Sequence, residues 1–308
     1  MKKLTCFCAS LCAILLLLTA SPVLAQNILW VANNGSDANV CSETAPCGTF
    51  QGAINKGNVT QINCLTSGNY GGATITASLT IDCGTGNIGT VASTAIAFFI
   101  NTTSPIVLIV RHLNFNGLGS AGTGIGGFYR GLVIVENCMF QNFSTGYGIG
   151  LSANNGRGLL QVSNSQIINN GTGIAVYPQS GQIASVTLDH VQLIANTNNG
   201  LELGGSLGTA GEIAGTLRES IVGENGGDGV LANASQVFFT IEESSIIANL
   251  ANGIHTASAN ALVNVGASTI GGNVTGVMAT AGSLISFGNN QISVNANNGN
   301  FTSTIALK

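Results

Sequence analysis

The chain has 308 residues, with 8 Lys and Arg, 12 Asp and Glu, and a formal net charge of −4 at pH 7. Only 6% of the residues are charged, against roughly 25% in typical soluble domains. Proteins that hold nucleic acid or another polyanion need a cationic surface, and so few basic residues argue against such partners. Beyond the N-terminus no run reaches the ~18 apolar residues of a membrane-spanning helix.

Residues 1–25 have the pattern of an export signal. Two lysines at positions 2 and 3 precede an apolar stretch, and small residues typical of a cleavage site lead to Ala25. We therefore expect cleavage after Ala25 and a secreted or periplasmic protein. The rest of the chain divides into an N-terminal cap over 26–60 and a repeat region over 61–308.

The cap begins with a distinctive segment. Residues 30–41 run from an apolar strand into Asn-Gly-Ser-Asp-Ala-Asn, and 45–54 read Ala-Pro-Cys-Gly-Thr-Phe-Gln-Gly-Ala-Ile. This segment resembles the opening of secreted bacterial right-handed parallel β-helix proteins of the pectin-lyase-like superfamily. The resemblance implies a short helix that plugs the first coil, with Thr49 as its N-cap and an apolar face of Phe50, Ala53 and Ile54. Because the superfamily includes lyases, hydrolases, epimerases and adhesins, the resemblance implies a fold and no particular activity.

Five cysteines follow the signal sequence, an odd number for an oxidising compartment. Ile-Asn-Cys at 62–64 and Ile-Asp-Cys at 81–83 read as one strand repeated a coil later. Stacked strands lie ~4.8 Å apart, within the ~4.4–6.8 Å Cα separation of disulfides. We predict the disulfides Cys64–Cys83 and Cys41–Cys47. Zinc is the alternative for these four, although no Cys-x-x-Cys spacing supports it, and we expect no metal or cofactor.

A short phrase recurs seven times between Gly148 and Gly299. Each copy has an apolar residue, a polar stretch that usually contains Asn, and then a glycine, and successive glycines lie 23 to 29 residues apart. Such a drifting period is typical of stacked solenoid coils. The seven glycines are Gly148, Gly173, Gly200, Gly229, Gly253, Gly276 and Gly299.

Strand starts between the glycines align without gaps. Their first column is apolar and faces a core, and the second is mostly polar, as alternation along a strand requires. The fourth column contains Cys138, which we expect to be a buried, inert thiol. The aligned starts are 110–113, 135–138, 162–165, 188–191, 217–220, 241–244, 265–268 and 287–290. The pattern predicts an all-β, single-stranded parallel β-helix of about ten coils, right-handed as most parallel connections are.

An asparagine recurs at one corner of six coils. Stacked Asn side chains can bond to one another and to the carbonyls that a turn leaves free. We expect a structural ladder made of Asn170, Asn196, Asn225, Asn249, Asn273 and Asn295.

The scarce charges gather in three successive coils. The same two columns hold the pairs Asp189-His190, Arg218-Glu219 and Glu242-Glu243. Carboxylates one or two coils apart would approach the ~5–5.5 Å and ~6.5–9.5 Å separations of glycosidases, and His190 could act as an acid or base. The same residues also fit an ion-pair ladder or a ligand-binding face. Adjacent columns can both face outward only where the strand bends.

Other catalytic signals are weak. Leu188-Asp189-His190 is similar to the Ile-Asp-His strand of pectate lyases, but the other motifs of that family are absent. Residues 226–229 hold one copy of a calcium-turn pattern, which offers too few oxygens. His112 and His255 look isolated, and Tyr129 and Tyr147 look too scattered for sugar stacking.

Two functions fit these observations. The first is an exported non-catalytic β-helix that associates with a surface or binds polysaccharide. The alternative is a polysaccharide lyase or glycoside hydrolase that acts on a neutral or weakly charged glycan through the charged face. Because the last coil has no helical plug, its strand edges also predict oligomerisation through the C-terminal coil.

Overall fold

The computed structural model describes residues 27–86, 88–205 and 211–306. The expected signal sequence, residues 1–25, lies outside these ranges. Strands are numbered in chain order as β1–β30, and the described residues contain a single short helix, α1 (Phe50–Ile54). Strand pairing along the stack is parallel, and each coil pairs with the next. The predicted all-β parallel β-helix is therefore confirmed.

Each coil contributes strands to three faces. Faces A and B are the two parts of a 20-stranded sheet, which β10 (Thr123–Glu136) and β12 (Tyr147–Ser163) join because they run from one face into the other. The other strands of face A are β4 (Ala73–Ile75), β7 (Ile96–Asn101), β14 (Thr172–Val176), β17 (Leu201–Leu203), β20 (Val230–Ala232), β23 (Asn252–Thr256), β26 (Thr275–Ala279) and β29 (Asn297–Gly299).

The remaining strands of face B are β1 (Ile28–Val31), β2 (Gln61–Cys64), β5 (Leu79–Asp82), β8 (Ile106–Arg111), β15 (Ile183–Asp189), β18 (Glu212–Arg218), β21 (Gln236–Glu242), β24 (Ala261–Gly266), β27 (Ser283–Ser286) and β30 (Ser303–Thr304). Face C is a separate 10-stranded sheet. Its strands are β3 (Gly68–Asn69), β6 (Gly89–Ala92), β9 (Leu113–Asn116), β11 (Met139–Gln141), β13 (Gln166–Ile168), β16 (Gln192–Ile194), β19 (Ile221–Gly223), β22 (Ser245–Ile247), β25 (Thr269–Gly271) and β28 (Gln291–Ser293).

The corner between faces B and C is a sharp bend at one residue per coil. That residue has a left-handed backbone, with φ between 48° and 56° in the seven coils concerned. A residue in this region interrupts the alternation of a strand, so the side chain before it and its own side chain can both face solvent. The corner residues are His112, Asn137, Asn164, His190, Glu219, Glu243 and Ala267.

The interior is filled by stacked apolar side chains and begins at the helix. Thr49 caps α1 by accepting a hydrogen bond from the main-chain N–H of Gly52, as predicted. The buried ring of Phe50 lies 5.7 Å from that of Phe98, which in turn lies 5.0 Å from Phe115. The helix therefore closes the first coil by continuing the aromatic core. In the described ranges no helix is long and apolar enough to cross a membrane.

The six asparagines of the expected ladder stand directly above one another. In a typical step, Asn225 Oδ1 accepts hydrogen bonds from the main-chain N–H and the Nδ2 of Asn196, at 3.0 and 2.9 Å. Its Nδ2 donates to the Leu193 carbonyl at 3.0 Å and to Asn249 Oδ1 at 2.9 Å. A serine ladder, which was not predicted from the sequence, follows the B–C corner. Its members are Ser165, Ser220, Ser244 and Ser268.

The cysteines pair as predicted. The Cα atoms of Cys64 and Cys83 are 4.5 Å apart, and those of Cys41 and Cys47 are 4.6 Å apart. Ile62 lies beside Ile81 in the next coil, which is the register assumed for the first disulfide. Cys138 is free and buried, and burial raises the pKa of its thiol to about 12. This environment agrees with the predicted inert thiol in the core.

Candidate functional site

The three charged pairs lie on the B–C corner. Asp189, Arg218 and Glu242 end strands β15, β18 and β21 and are adjacent in register. Each is followed by the left-handed corner residue, which is His190, Glu219 or Glu243. The bend explains how both columns reach solvent, since every one of the six side chains is at least partly exposed.

Four of the six side chains form a closed network. Nδ1 of His190 lies 3.1 Å from Asp189 Oδ2, and its Nε2 lies 2.8 Å from Glu219 Oε2. Arg218 donates to Glu219 Oε1 at 2.6 Å and lies 3.7 Å from Asp189 Oδ1. No ion pair joins Glu242 or Glu243 to another described residue.

The same corner column carries alternating charges along the stack. In the N-terminal coils, Arg111 lies between Asp82 and Glu136 in register and forms an ion pair with Glu136. His112, which the sequence analysis took to be isolated, has its Nδ1 2.8 Å from Asp82 Oδ1. Opposite charges on neighbouring strands stabilise a sheet by a few tenths of a kcal/mol up to ~1 kcal/mol. The arrangement fits an ion-pair ladder along the exposed B–C corner, where 34% to 52% of each side chain in the Asp189–Glu219 network is accessible to solvent.

A second group of polar side chains lies on face A, and the sequence analysis missed it. On β17, Leu201 and Leu203 point into the core, so Glu202 between them points outward. Its column continues through Ala175, Leu231 and His255. Each of these residues stands two positions after a phrase glycine, so extending the repeat register into face A would have found the column.

Glu202 and Tyr147 line an open groove of ≈ 380 Å³ on face A. The ring centroids of Tyr147 and Tyr177 are 6.2 Å apart, so Tyr147 has an aromatic neighbour after all, whereas Tyr129 is fully buried in the core. A Cβ at Gly150 would lie 2.9 Å from Tyr147 Cδ2, so the glycine makes room for that ring. Other residues that line the groove are Thr172, Thr197, Asn198 and Asn199.

Asp228 and His255 form a pair on the same face. Nδ1 of His255 lies 2.8 Å from Asp228 Oδ2, and Nε2 lies 3.0 Å from Thr280 Oγ1. Asp228 Oδ1 accepts hydrogen bonds from the main-chain N–H and the Nδ2 of Asn252, at 2.9 and 2.7 Å. His255 is therefore not isolated. The carboxylate of Asp228, in the glycine turn at 226–229, forms hydrogen bonds within the protein.

No cluster of three or more His, Cys, Asp or Glu side chains that could hold a metal ion occurs in the described parts of the chain. The Asp228 oxygens already accept hydrogen bonds from Asn252 and face His255.

Comparisons with known proteins identify the fold. The A-module of mannuronan C-5 epimerase AlgE6 from Azotobacter vinelandii is similar at a TM-score of 0.62 and 18% identity, over 83% of this chain and 79% of that one. Pectate lyase Pel9A is similar at a TM-score of 0.59 and 18% identity, over 92% of this chain and 79% of that one. No protein-family model matches the sequence, and no curated protein matches it. The likeness shows the parallel β-helix fold shared with these enzymes.

Proposed function

We propose that this protein is an exported β-helix that binds a polysaccharide in the face A groove without cleaving it. The observation that carries the proposal is the groove itself, where the ring of Tyr147 and the carboxylate of Glu202 border an open, polar trough. Aromatic rings combine a large apolar surface with a polar tip, which suits the apolar face and hydroxyl rim of a sugar.

Three further facts support a glycan partner outside the cytoplasm. Two solved structures of similar fold are named for acting on mannuronan and pectate. The two disulfides fit an oxidising compartment. Acidic residues outnumber basic ones by 12 to 8, which favours a ligand without a dense negative charge.

Calorimetric titration of the chain from residue 26 with a panel of oligosaccharides tests the proposal, together with an assay for new reducing ends or unsaturated products. Binding without turnover is the expected result. Tyr147→Ala should weaken binding about tenfold or more, as truncation of a buried aromatic anchor does. Phe238→Ala is the matched control, since Phe238 is an exposed ring on face B, 41% accessible. Equal affinity of the Tyr147→Ala and Phe238→Ala variants would show that the groove is not the glycan-binding site.

The alternative is a polysaccharide lyase or glycoside hydrolase that works at the B–C corner. The observation in its favour is that His190 lies between two carboxylates, 3.1 Å from Asp189 and 2.8 Å from Glu219. Under this alternative the product assay is positive, and Glu219→Gln or Asp189→Asn abolishes turnover. The corner carboxylates are already engaged by His190 and Arg218, and for this reason we prefer the binding function.

Oligomerisation through the C-terminal coil stays a prediction. Strands β28, β29 and β30 each pair with one neighbouring strand within the described residues, and Val294 beside them is 83% exposed. Open strand edges of this kind can pair with a second copy. Sedimentation equilibrium of the wild type and of Val294→Lys would measure any such association.

A further inference from the structure

Within the described residues, the carboxylate of Glu202 has no cationic partner. Its Oε2 accepts a hydrogen bond from Asn199 Nδ2 at 3.3 Å and its Oε1 accepts one from Asn233 Nδ2 at 3.4 Å. Both donors are neutral amides, and none of the ion pairs in the described residues includes Glu202. A half-buried charge that only neutral groups contact leaves a negative potential in the groove, and such a potential concentrates cations.

The Tyr147 ring borders the same groove as this carboxylate, and the Tyr177 ring lies beside that of Tyr147. Burial, and then the negative charge of Glu202, raise the pKa of Tyr147 above its ordinary value. Burial and the neighbouring Tyr147 raise the pKa of Tyr177 to about 12. Both phenols therefore remain neutral near pH 7, and their ring faces attract ammonium groups, an interaction worth ~0.5–2 kcal/mol.

The lining of the groove also disfavours anionic sugars. No Lys or Arg of the described chain lines it. The two arginines that form ion pairs, Arg111 and Arg218, lie at the B–C corner and not in the groove. A uronate carboxylate would meet Glu202 with no positive charge to offset the repulsion. The volume of ≈ 380 Å³ lies within the ~300–1,000 Å³ range of small-ligand sites.

On the basis of the proposed glycan-binding function, we infer that the face A groove recognises an amine-bearing sugar, with its ammonium group between the Tyr147 ring and the Glu202 carboxylate. The hydrogen bonds from Asn199 and Asn233 hold the carboxylate toward the groove. The amides at the rim, which include Asn198, then contact the sugar hydroxyls. The ligand class is therefore a glycan of 2-amino-2-deoxy sugars that has free amino groups.

Three tetrasaccharides test this inference by calorimetry at a pH at which the amine is protonated. They are β-1,4-linked glucosamine, its N-acetylated form, and tetragalacturonate. The glucosamine tetramer should bind about tenfold or more tightly than the N-acetylated one, the tetragalacturonate should bind least, and added salt should reduce the difference because it screens the charge pair. Glu202→Gln should remove the preference for the amine. Tyr147→Ala should weaken the binding of both the glucosamine tetramer and its N-acetylated form.

Glu212→Gln is the control, because Glu212 is a half-buried carboxylate at the start of β18 on face B, and it should leave the preference intact. Thermal melts followed by circular dichroism check that each variant is folded. Equal affinity for the amine and the N-acetyl ligand, or a preference that survives Glu202→Gln, overturns the amino-sugar inference while the binding function stands. Failure of every glycan in the panel to bind overturns both.

Discussion

The imidazole of His255 reaches back one coil to Asp228, with Nδ1 and Oδ2 2.8 Å apart, and thereby fixes a carboxylate on face A. The Asp228 side chain is only 10% exposed and that of His255 is 18% exposed. Asn252 donates two further hydrogen bonds to the same carboxylate. The side chains of His255 and Asn252 thus both bond to one charge, which makes the edge of face A sensitive to its removal.

Acid should destabilise the protein through this residue. Burial alone would raise the pKa of Asp228, but the hydrogen bonds from His255 and Asn252 lower it on balance. Because the folded pKa lies below the unfolded one, the stabilisation is complete above the ordinary aspartate pKa of ~3.9 and is lost as pH falls through the folded value. Urea denaturation between pH 7 and pH 2 should show this loss in the wild type and a flatter profile in Asp228→Asn.

At pH 7 the Asp228→Asn variant should lose about 1–3 kcal/mol of unfolding free energy, the usual cost of leaving buried hydrogen-bond partners unsatisfied. Asp189→Asn is the control, since the Asp189 side chain is 41% exposed, and it should lose less than ~1 kcal/mol. Equal losses in the two variants would mean that Asp228 has no special role.

The repeat predicted the scaffold well because each solenoid coil needs the same type of residue at the corresponding position. The phrase glycines, the Asn ladder and the pairing of Cys64 with Cys83 all follow from stacking identical corners. The face A groove was not predicted, although its column follows from the same register. Tyr147 and Glu202 belong to different coils, and Tyr177 lies outside the phrase, so no short motif joins them. Tyr147 and Glu202 line one groove because the register of face A places their strands two coils apart.

The middle of the Asn ladder should be more sensitive to mutation than its end. Asn225 is fully buried and makes four hydrogen bonds to main-chain and side-chain groups of neighbouring coils. Asn225→Ala leaves several buried groups without partners and should cost roughly 2–4 kcal/mol, since each such group costs about 1–3 kcal/mol. Chemical denaturation measures the difference.

Asn295→Ala provides the matched comparison. Asn295 donates to the Ile270 carbonyl and accepts from Asn273, but it is only half-buried, so water can replace the lost amide. We expect a loss below ~1.5 kcal/mol, the net value of an ordinary hydrogen bond. A loss at Asn295 as large as that at Asn225 would contradict the view that burial sets the cost.

Thiol labelling should distinguish the free Cys138 from the four disulfide-bonded cysteines among the five that follow residue 25. With burial raising the pKa of Cys138 to about 12, a thiol reagent should label nothing in the folded protein and one group after denaturation without reductant. Replacing Cys64 and Cys83 by Ser should lower the unfolding free energy by about 3 kcal/mol on the loop-entropy estimate, because the disulfide joins residues 19 apart.

Replacing Cys41 and Cys47 should cost less, about 2 kcal/mol on the same estimate, since their separation is 6 residues. Peptide mapping of the unreduced chain would identify both pairs directly. Rapid labelling of Cys138 in the folded protein would contradict its position in the core.

The charged corner should behave as a scaffold element that glycan binding does not need. Glu219 contacts His190 at 2.8 Å and Arg218 at 2.6 Å, yet its side chain is 34% exposed. Glu219→Gln should therefore lower the unfolding free energy by less than ~1 kcal/mol at low ionic strength, with a smaller loss at 1 M salt, where the Debye length is only ~3 Å. Glu242→Gln, which removes a carboxylate without an ion pair among the described residues, should cost nothing. Neither variant should change glycan affinity, and a loss of binding or turnover in Glu219→Gln alone would transfer the functional site from face A to the B–C corner.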